Sequence, residues 1–259
     1  MIGIYVVTLT LGLSELSIQG LKGCLVLTPL NWFIKAYILL YILSPVLNSF
    51  VESATSKQFR IVLFGFFTFE FIYGWLFSGA TQHIQQGYST ISFIGLYLLT
   101  RYIRIYQPKF ASQSSTSYIM LLSILSICVT VLYIMPPILG FATVFCGSVW
   151  ISYISPFCIL CAITMLLLFS KFEIQNKIIN WIAASSFAVF LIHTNPNTLW
   201  HFKSFFVNLY GRTCIFEFWI YTFGVLILIF IVAVLIDQIR IAIWNFIWKR
   251  IALDDRNKK

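Results

Sequence analysis

Long apolar stretches separated by short polar ones set the pattern of this chain, and their lengths fit a bilayer rather than a soluble core. A helix of about 20 apolar residues crosses the hydrocarbon, whereas barrel strands would show ten-residue alternation, which is not seen here. Met1 to Leu13 is short for a span, and Ser14 to Thr28 is a more polar connection carrying Glu15 and Lys22. Asn31 to Phe50 is the first full-length span, with Pro45 placed to kink its far end. Val51 to Arg60 reads as a polar loop, Ile61 to Gly79 as a span with Glu70 near its middle, and Thr81 to Ser89 as a loop containing His83. Thr90 to Tyr106 spans next, its Arg101 and Arg104 able to snorkel, and a Ser-rich loop with Lys109 runs from Gln107 to Ser117.

No charged residue occurs from Tyr118 to Phe169, and Pro136-Pro137 and Ser155-Pro156 cut this run into three. Tyr118 to Met135 is long enough to span, Phe157 to Phe169 is short, and Ile138 to Ile154 is ambiguous. Charge separates two passes from three. Two passes collect thirteen of the 17 Lys and Arg on one side and leave Lys22, Lys35, Lys203 and Arg212 on the other; three passes split them seven against ten. Cytoplasmic loops are enriched in Lys and Arg, so two passes are expected, with Ile138 to Ile154 entering without crossing. Backbone of that kind is tolerated only when buried in protein or lining a cavity.

Ile178 to Asn195 is an apolar helix whose first half carries small residues, Ala183, Ala184, Ser185, Ser186 and Ala188, that allow a neighbouring helix to approach closely. Pro196 should end it near Asn195, leaving His193 in the last turn, with Ser186 two turns below on the same face. His201 to Arg212 reads as an outer loop, and Phe218 to Ile236 as the clearest span. Asp237 and Arg240 then pair at i, i+3, ahead of a basic cytoplasmic tail.

Composition agrees. The 259 residues are 60% hydrophobic, 18% aromatic and 10% charged, with mean hydropathy +0.91; a soluble domain carries about 25% charged residues. The fold class is therefore all-α, a polytopic transmembrane helix bundle of about seven or eight membrane segments in one domain, with the lipid bilayer as its surroundings and both ends inside. The net charge of +9 follows from cations between apolar runs and does not point to nucleic acid. The cysteines at 24, 128, 146, 158, 161 and 214 are scattered through mostly apolar runs and read as small packed residues. The first apolar run lacks a basic leader and a small-residue cleavage site, and so is not read as a signal peptide.

Chemistry concentrates at a few positions. Glu70 is the one carboxylate deep in a span, so it is expected to face the bundle interior, either as a structural hydrogen-bonding group or as a catalytic one. His83, His193 and His201 map to the outer side and offer acid–base chemistry or a metal site, although paired-ligand spacing is absent and no metal is expected. His193 and Glu70 are the catalytic candidates; Ser186, His83, His201 and Arg212 are the substrate-binding candidates. Lys203 and Arg212 can hold an anionic group. No nucleophile elbow, phosphate loop or zinc-protease motif occurs. The aromatic content suits interfacial belts and sugar stacking equally.

The run I-N-W-I-A-A-S-S-F-A-V-F-L-I-H-T-N-P (Ile179 to Pro196) resembles acyltransferase family 3 of bacterial membrane proteins. So do S-P-F-C-I-L-C-A-I-T-M-L-L-L-F (Ser155 to Phe169), W-F-I-K-A-Y-I-L-L-Y-I-L-S-P-V-L-N (Trp32 to Asn48) and F-I-G-L-Y-L-L-T-R-Y-I-R-I-Y (Phe93 to Tyr106), which fall in the family's order. The likeness runs from about Asn31 to Trp200, giving an atypical segment 1–30, family-like helices 31–247 and a basic cytoplasmic tail 248–259. It implies a multi-pass protein of the bacterial inner membrane that moves an acyl group, often acetyl, from acyl-CoA to a hydroxyl of a surface polysaccharide or lipid-linked sugar. Acyl-CoA would be the donor substrate, with no bound cofactor. The family's base and oxyanion donors are attributed to an arginine–histidine motif in its early helices, and no residue here matches it. Arg60 is the first arginine and His83 the first histidine. By that likeness the chain is N-terminally shortened and is expected to have little or no acyl-transfer activity alone. A non-catalytic remnant or partner subunit and a transporter of lipid-linked sugars or acyl donors are the alternatives.

Overall fold

Every backbone N–H and C=O in hydrocarbon needs a partner within the protein, and helices supply it locally. The computed structural model describes residues 2–12, 14–24, 32–77, 84–138 and 149–257, with side chains at all of these except 2–4, 7, 85, 136–137, 193, 196–198 and 250–257. Among the described residues there are helices and connections and no strand. In chain order the helices are α1 (Ile2–Thr10), α2 (Ile18–Cys24), α3 (Trp32–Ser53), α4 (Ser56–Phe69) running directly into a π-helical segment (Glu70–Leu76), α5 (Thr90–Tyr106), α6 (Ser115–Ile138), α7 (Pro156–Phe169), α8 (Lys177–Ala183), α9 (Ser186–His193), α10 (Pro196–Tyr210) and α11 (Ile215–Asn257). Trp32–Ser53, Ser56–Leu76, Ser115–Met135 and Ile215–Lys249 are long and apolar enough to cross a membrane, and Pro156–Phe169 and Lys177–Ile192 are shorter apolar helices. Ile42, Phe64, Ile127 and Leu228 lie exposed on these helices. So much outward apolar surface belongs against lipid.

Several element boundaries differ from those expected, for local reasons. Thr55 and Gln58 form a capping box, the Thr55 N–H donating to Gln58 Oε1 at 2.9 Å, so α4 starts at Ser56 and takes Lys57 and Arg60 out of the supposed loop. The Ser14 to Thr28 connection contains α2. The helix expected from Tyr118 begins at Ser115 and continues through Pro136 and Pro137, which fall in its last turn. His201 to Arg212 is not a loop: it lies largely within α10, which starts on Pro196, a residue pre-shaped for a first helical position. The expected helix Ile178 to Asn195 is divided into α8 and α9 at Ala184–Ser185. α11 extends well past Phe218–Ile236; its 43 residues make a rod of about 65 Å, roughly twice the hydrocarbon thickness. Most of Ile138 to Ile154 (139–148) lies outside the described residues.

The helices group into two compact units, residues 32–173 and residues 1–31 with 174–259. In the first, α3 to α7 run alternately up and down. One end is tied by Val51, Phe59, Leu63 and Leu98, backed by Tyr102 and Tyr106, and by Ile103, Tyr118, Leu167 and Leu168. Lys57, Arg60, Arg101, Arg104, Lys109 and Lys171 belong to this end, with the Lys171 ammonium 5.5 Å from the centre of the Tyr118 ring. Trp32, Tyr88 and Tyr153 gather at the opposite end, where Lys35 is the cation among the described residues. Pro45 sits within α3 without ending it. The Tyr41 carbonyl, which loses its helical partner to the proline, accepts the Ser44 hydroxyl at 2.7 Å instead.

The second unit packs α1 on α2 and α10, and α9 on α10 and α11. The Tyr5 hydroxyl pins the turn between α1 and α2, accepting from the Ser17 N–H at 2.9 Å and donating to the Glu15 carbonyl at 3.0 Å. At the α8–α9 break the Ser185 N–H reaches Ile182 rather than Trp181. The Trp181 carbonyl accepts from Gln238 of α11 at 3.2 Å, and the same amide donates to Ser185 Oγ at 2.8 Å. Asp237, buried beside it, pairs with Arg240 at 2.6 Å, the i, i+3 contact expected.

Gly95 gives this packing a direct test. A Cβ there would fall 2.0 Å from Phe66 Cε1, where α4 and α5 meet. In an open helix Gly→Ala stabilises by about 1 kcal/mol. Here the forced shift of a packed ring outweighs that gain, and we expect Gly95→Ala to destabilise by about 1–3 kcal/mol. Thermal unfolding in detergent should show a lower Tm, restored in part by Phe66→Ala in the same chain; an unchanged or raised Tm for Gly95→Ala would contradict the packing.

Candidate functional site

The π-helical turn is the starting point. Its wider ring, closed by the Phe77 N–H on the Ile72 carbonyl at 3.0 Å, begins at Glu70, and such turns recur at functional sites. Glu70 faces inward, 2% exposed, as expected from the cost of a lipid-facing carboxyl. Ser92, in the first turn of α5, lies beside its side chain, and its Oε1 is buried without a partner. Ser92 is itself held by the helix cap, its N–H donating to Ser89 Oγ at 3.3 Å.

One π turn further along, Gly74 and Trp75 reach a cavity of about 360 Å³, lined also by Gln86, Tyr88, Val149, Ile151, Ser152, Tyr153 and Ile154. Gly74 lets the walls close: a Cβ would meet Ile154 Cδ1 and Ile84 Cγ2 at 2.9 Å. Gln86 (φ 55°) and Gly87 (φ 92°) turn the chain into α5, and a Cβ on Gly87 would meet Tyr153 Cβ at 2.6 Å. The rings hold one another edge to face, Trp32 on Tyr88 at 4.5 Å, Tyr88 on Tyr153 at 5.2 Å and Trp75 on Trp150 at 5.3 Å. The Trp75 indole N–H donates to the Val149 carbonyl at 3.1 Å, and Ser152 Oγ is buried without a partner. Burial, and then the neighbouring Tyr153, push the Tyr88 phenol above its ordinary range.

The other sequence candidates are placed as follows. His193 closes α9, but its side chain lies outside the described residues, as does the whole of His83. Ser186 is exposed and donates to the Ala183 carbonyl at 2.8 Å. The serine of this helix that is fully buried and bonded to a neighbouring helix is Ser185. The break at Ala184–Ser185 rotates the two serines to different surroundings, which one continuous helical face did not anticipate. His201 is exposed on α10 and Arg212 lies in the exposed turn beyond its end. Eleven residues separate them, about 16 Å along a helix axis, so they do not share one subsite. Lys203 sits over the Trp200 ring at 5.8 Å. The cavity residues Trp75, Gln86, Tyr88, Ser152 and Tyr153 were not singled out beforehand; in a chain with 18% aromatic residues, a local cluster does not stand out until the loops are brought together.

These features define an integral membrane helix bundle with a buried carboxyl and an aromatic cavity at one end of its first unit. The family model described as "Acyltransferase domain", that of acyltransferase family 3, matches residues 1–238, and the chain belongs to this family. The match takes in the first 30 residues, beyond the Asn31 to Trp200 stretch marked by the sequence motifs. None of the curated proteins and none of the solved structures matches the chain.

Glu70 is tested by paired substitutions. Gln keeps the shape and a polar group in the buried position of the carboxyl, whereas Leu removes the polar group and alters the shape beside Ser92, a change that costs about 1–3 kcal/mol. We expect Glu70→Leu to lower the Tm more than Glu70→Gln. Equal Tm values for the two would show that the carboxyl makes no inward hydrogen bond.

Proposed function

We propose that this chain is a membrane O-acyltransferase-like protein that moves an acyl group, in the simplest case acetyl, from acyl-CoA to a hydroxyl of a cell-surface polysaccharide or lipid-linked sugar. The observation that carries the reading is the family match over residues 1–238. The layout of the first unit supports it. Six cations mark one end of α3–α7 and the aromatic cavity the other. Cytoplasmic ends collect Lys and Arg, so the proposal puts the cation-rich end beside the polyanionic donor and the cavity toward the acceptor in the outer leaflet. We place the protein in the bacterial cytoplasmic membrane, with the basic C-terminal tail inside by the same preference of Lys and Arg.

The chemistry is a single exchange. A base removes the proton of the acceptor hydroxyl as its oxygen attacks the thioester carbonyl; the tetrahedral intermediate collapses with loss of the CoA thiolate, which takes up a proton. Glu70, with an acceptor oxygen lacking a partner, is the residue of the first unit that we assign to proton transfer, and His193, at the end of α9, is the separate candidate of the second unit. Ser186, His83, His201 and Arg212 are assigned to substrate binding as separate contacts rather than one subsite. The absent arginine–histidine motif means that the chain alone is expected to turn over weakly.

The test follows label from radioactive acetyl-CoA into alkali-labile esters in membranes of the native host, with and without this chain. Esterification should fall on deletion and return with the wild-type chain. The rate with Glu70→Gln or His193→Ala should be lower by roughly 10²-fold, the usual minimum for a lost acid–base group. The purified chain in nanodiscs should give little product. Esterification unchanged by deletion would refute the proposal.

A further inference from the structure

We infer that the cavity between the π-helical turn and the 84–89 and 149–155 connections is a binding site for a single pyranose ring. The inference rests on the acyl-acceptor reading above and locates the acceptor within it, but its support is the chemistry of the walls. A sugar ring presents a face of C–H groups and a rim of hydroxyls. It is recognised by an aromatic face that covers the first and by side-chain hydrogen-bonding groups that meet the second. Trp75, Tyr88 and Tyr153 line the cavity and supply the aromatic surface. They are fixed before any ligand arrives: Trp75 by its indole bond to Val149 and its contact with Trp150, the two tyrosines by each other and by Trp32. A preformed site loses less side-chain entropy on binding.

The hydrogen-bonding groups are also present. Ser152 lines the cavity, and its Oγ, turned away from water and without a partner, comes within reach of a ligand on a change of rotamer. Such a hydroxyl costs free energy until something bonds it, and a sugar hydroxyl both donates and accepts. Gln86, carried into the left-handed region, adds an amide at the rim. The volume of about 360 Å³ sits at the small end of ligand pockets, suited to one ring rather than to a long oligosaccharide or an acyl chain. No Lys, Arg, Asp or Glu is among the described lining residues, which argues against a phosphate or a CoA moiety in this place.

Saturation-transfer difference NMR on the full chain in nanodiscs tests this, with the methyl glycosides of glucose, galactose, N-acetylglucosamine and rhamnose as probes and empty nanodiscs as the control. Transfer to the ring C–H protons of at least one glycoside is expected. Tyr153→Ala should weaken it roughly tenfold, the loss of one close aromatic contact, and Ser152→Phe, which fills the cavity, should abolish it; gel filtration and helical circular dichroism report folding. If Tyr153→Ala does not fold, Ser152→Phe decides. No transfer from the chain to any of the four glycosides, or equal transfer with Ser152→Phe, overturns the inference. The acyltransferase reading is scored separately by ester formation. Esters without glycoside binding here would sink this site alone; binding without esters would sink the catalytic reading and leave the site.

Discussion

The constraint on which this structure depends is that a backbone group inside hydrocarbon has no water to bond. Three departures from regular α-helix show how it is met. At Pro45 the orphaned Tyr41 carbonyl takes the Ser44 hydroxyl. At the α8–α9 break the Trp181 carbonyl takes the Gln238 amide from α11. At Glu70–Leu76 the chain keeps its bonds by widening the helix rather than breaking it. Each departure uses a side chain or a register change nearby, and two of the three bring polar residues inward: Ser185 against Gln238, and Glu70 against Ser92. Irregularity and buried polarity thus arise together, and the candidate chemistry sits where the helix is least regular.

The helices themselves were plain in the sequence, because apolar length is a strong signal and Thr90–Tyr106 falls where the pattern put it. The inward orientation of Glu70 was equally legible, since a lone carboxyl in a span has no stable place facing lipid. What the pattern missed was set by short-range chemistry it does not weigh. The Thr55–Gln58 cap lengthened α4, and Pro196 opened a helix where a loop was expected. The break at Ala184–Ser185 gave the buried position to Ser185 instead of Ser186. The cavity was hidden for a different reason: its walls come from segments about 75 residues apart, and no local period connects Trp75 or Tyr88 with Tyr153.

Electrostatics and packing agree on a direction for the first unit. Its cations cluster where α3, α5 and α7 end, and its aromatic cavity forms where they begin. In a bilayer such an asymmetry fixes orientation through the preference of Lys and Arg for the cytoplasmic side. Donor and acceptor of a transmembrane acyl transfer approach from opposite faces, so the proposed function requires this polarity as well as the site residues.

That polarity is the central claim, and cysteine accessibility measures it. On a cysteine-free background in sealed cells, Gln86→Cys at the cavity rim should react with a membrane-impermeant maleimide added outside. Lys171→Cys and Lys57→Cys should react only after the membrane is permeabilised. Labelling of Lys171→Cys or Lys57→Cys from outside in sealed cells, or protection of Gln86→Cys until permeabilisation, would contradict the account.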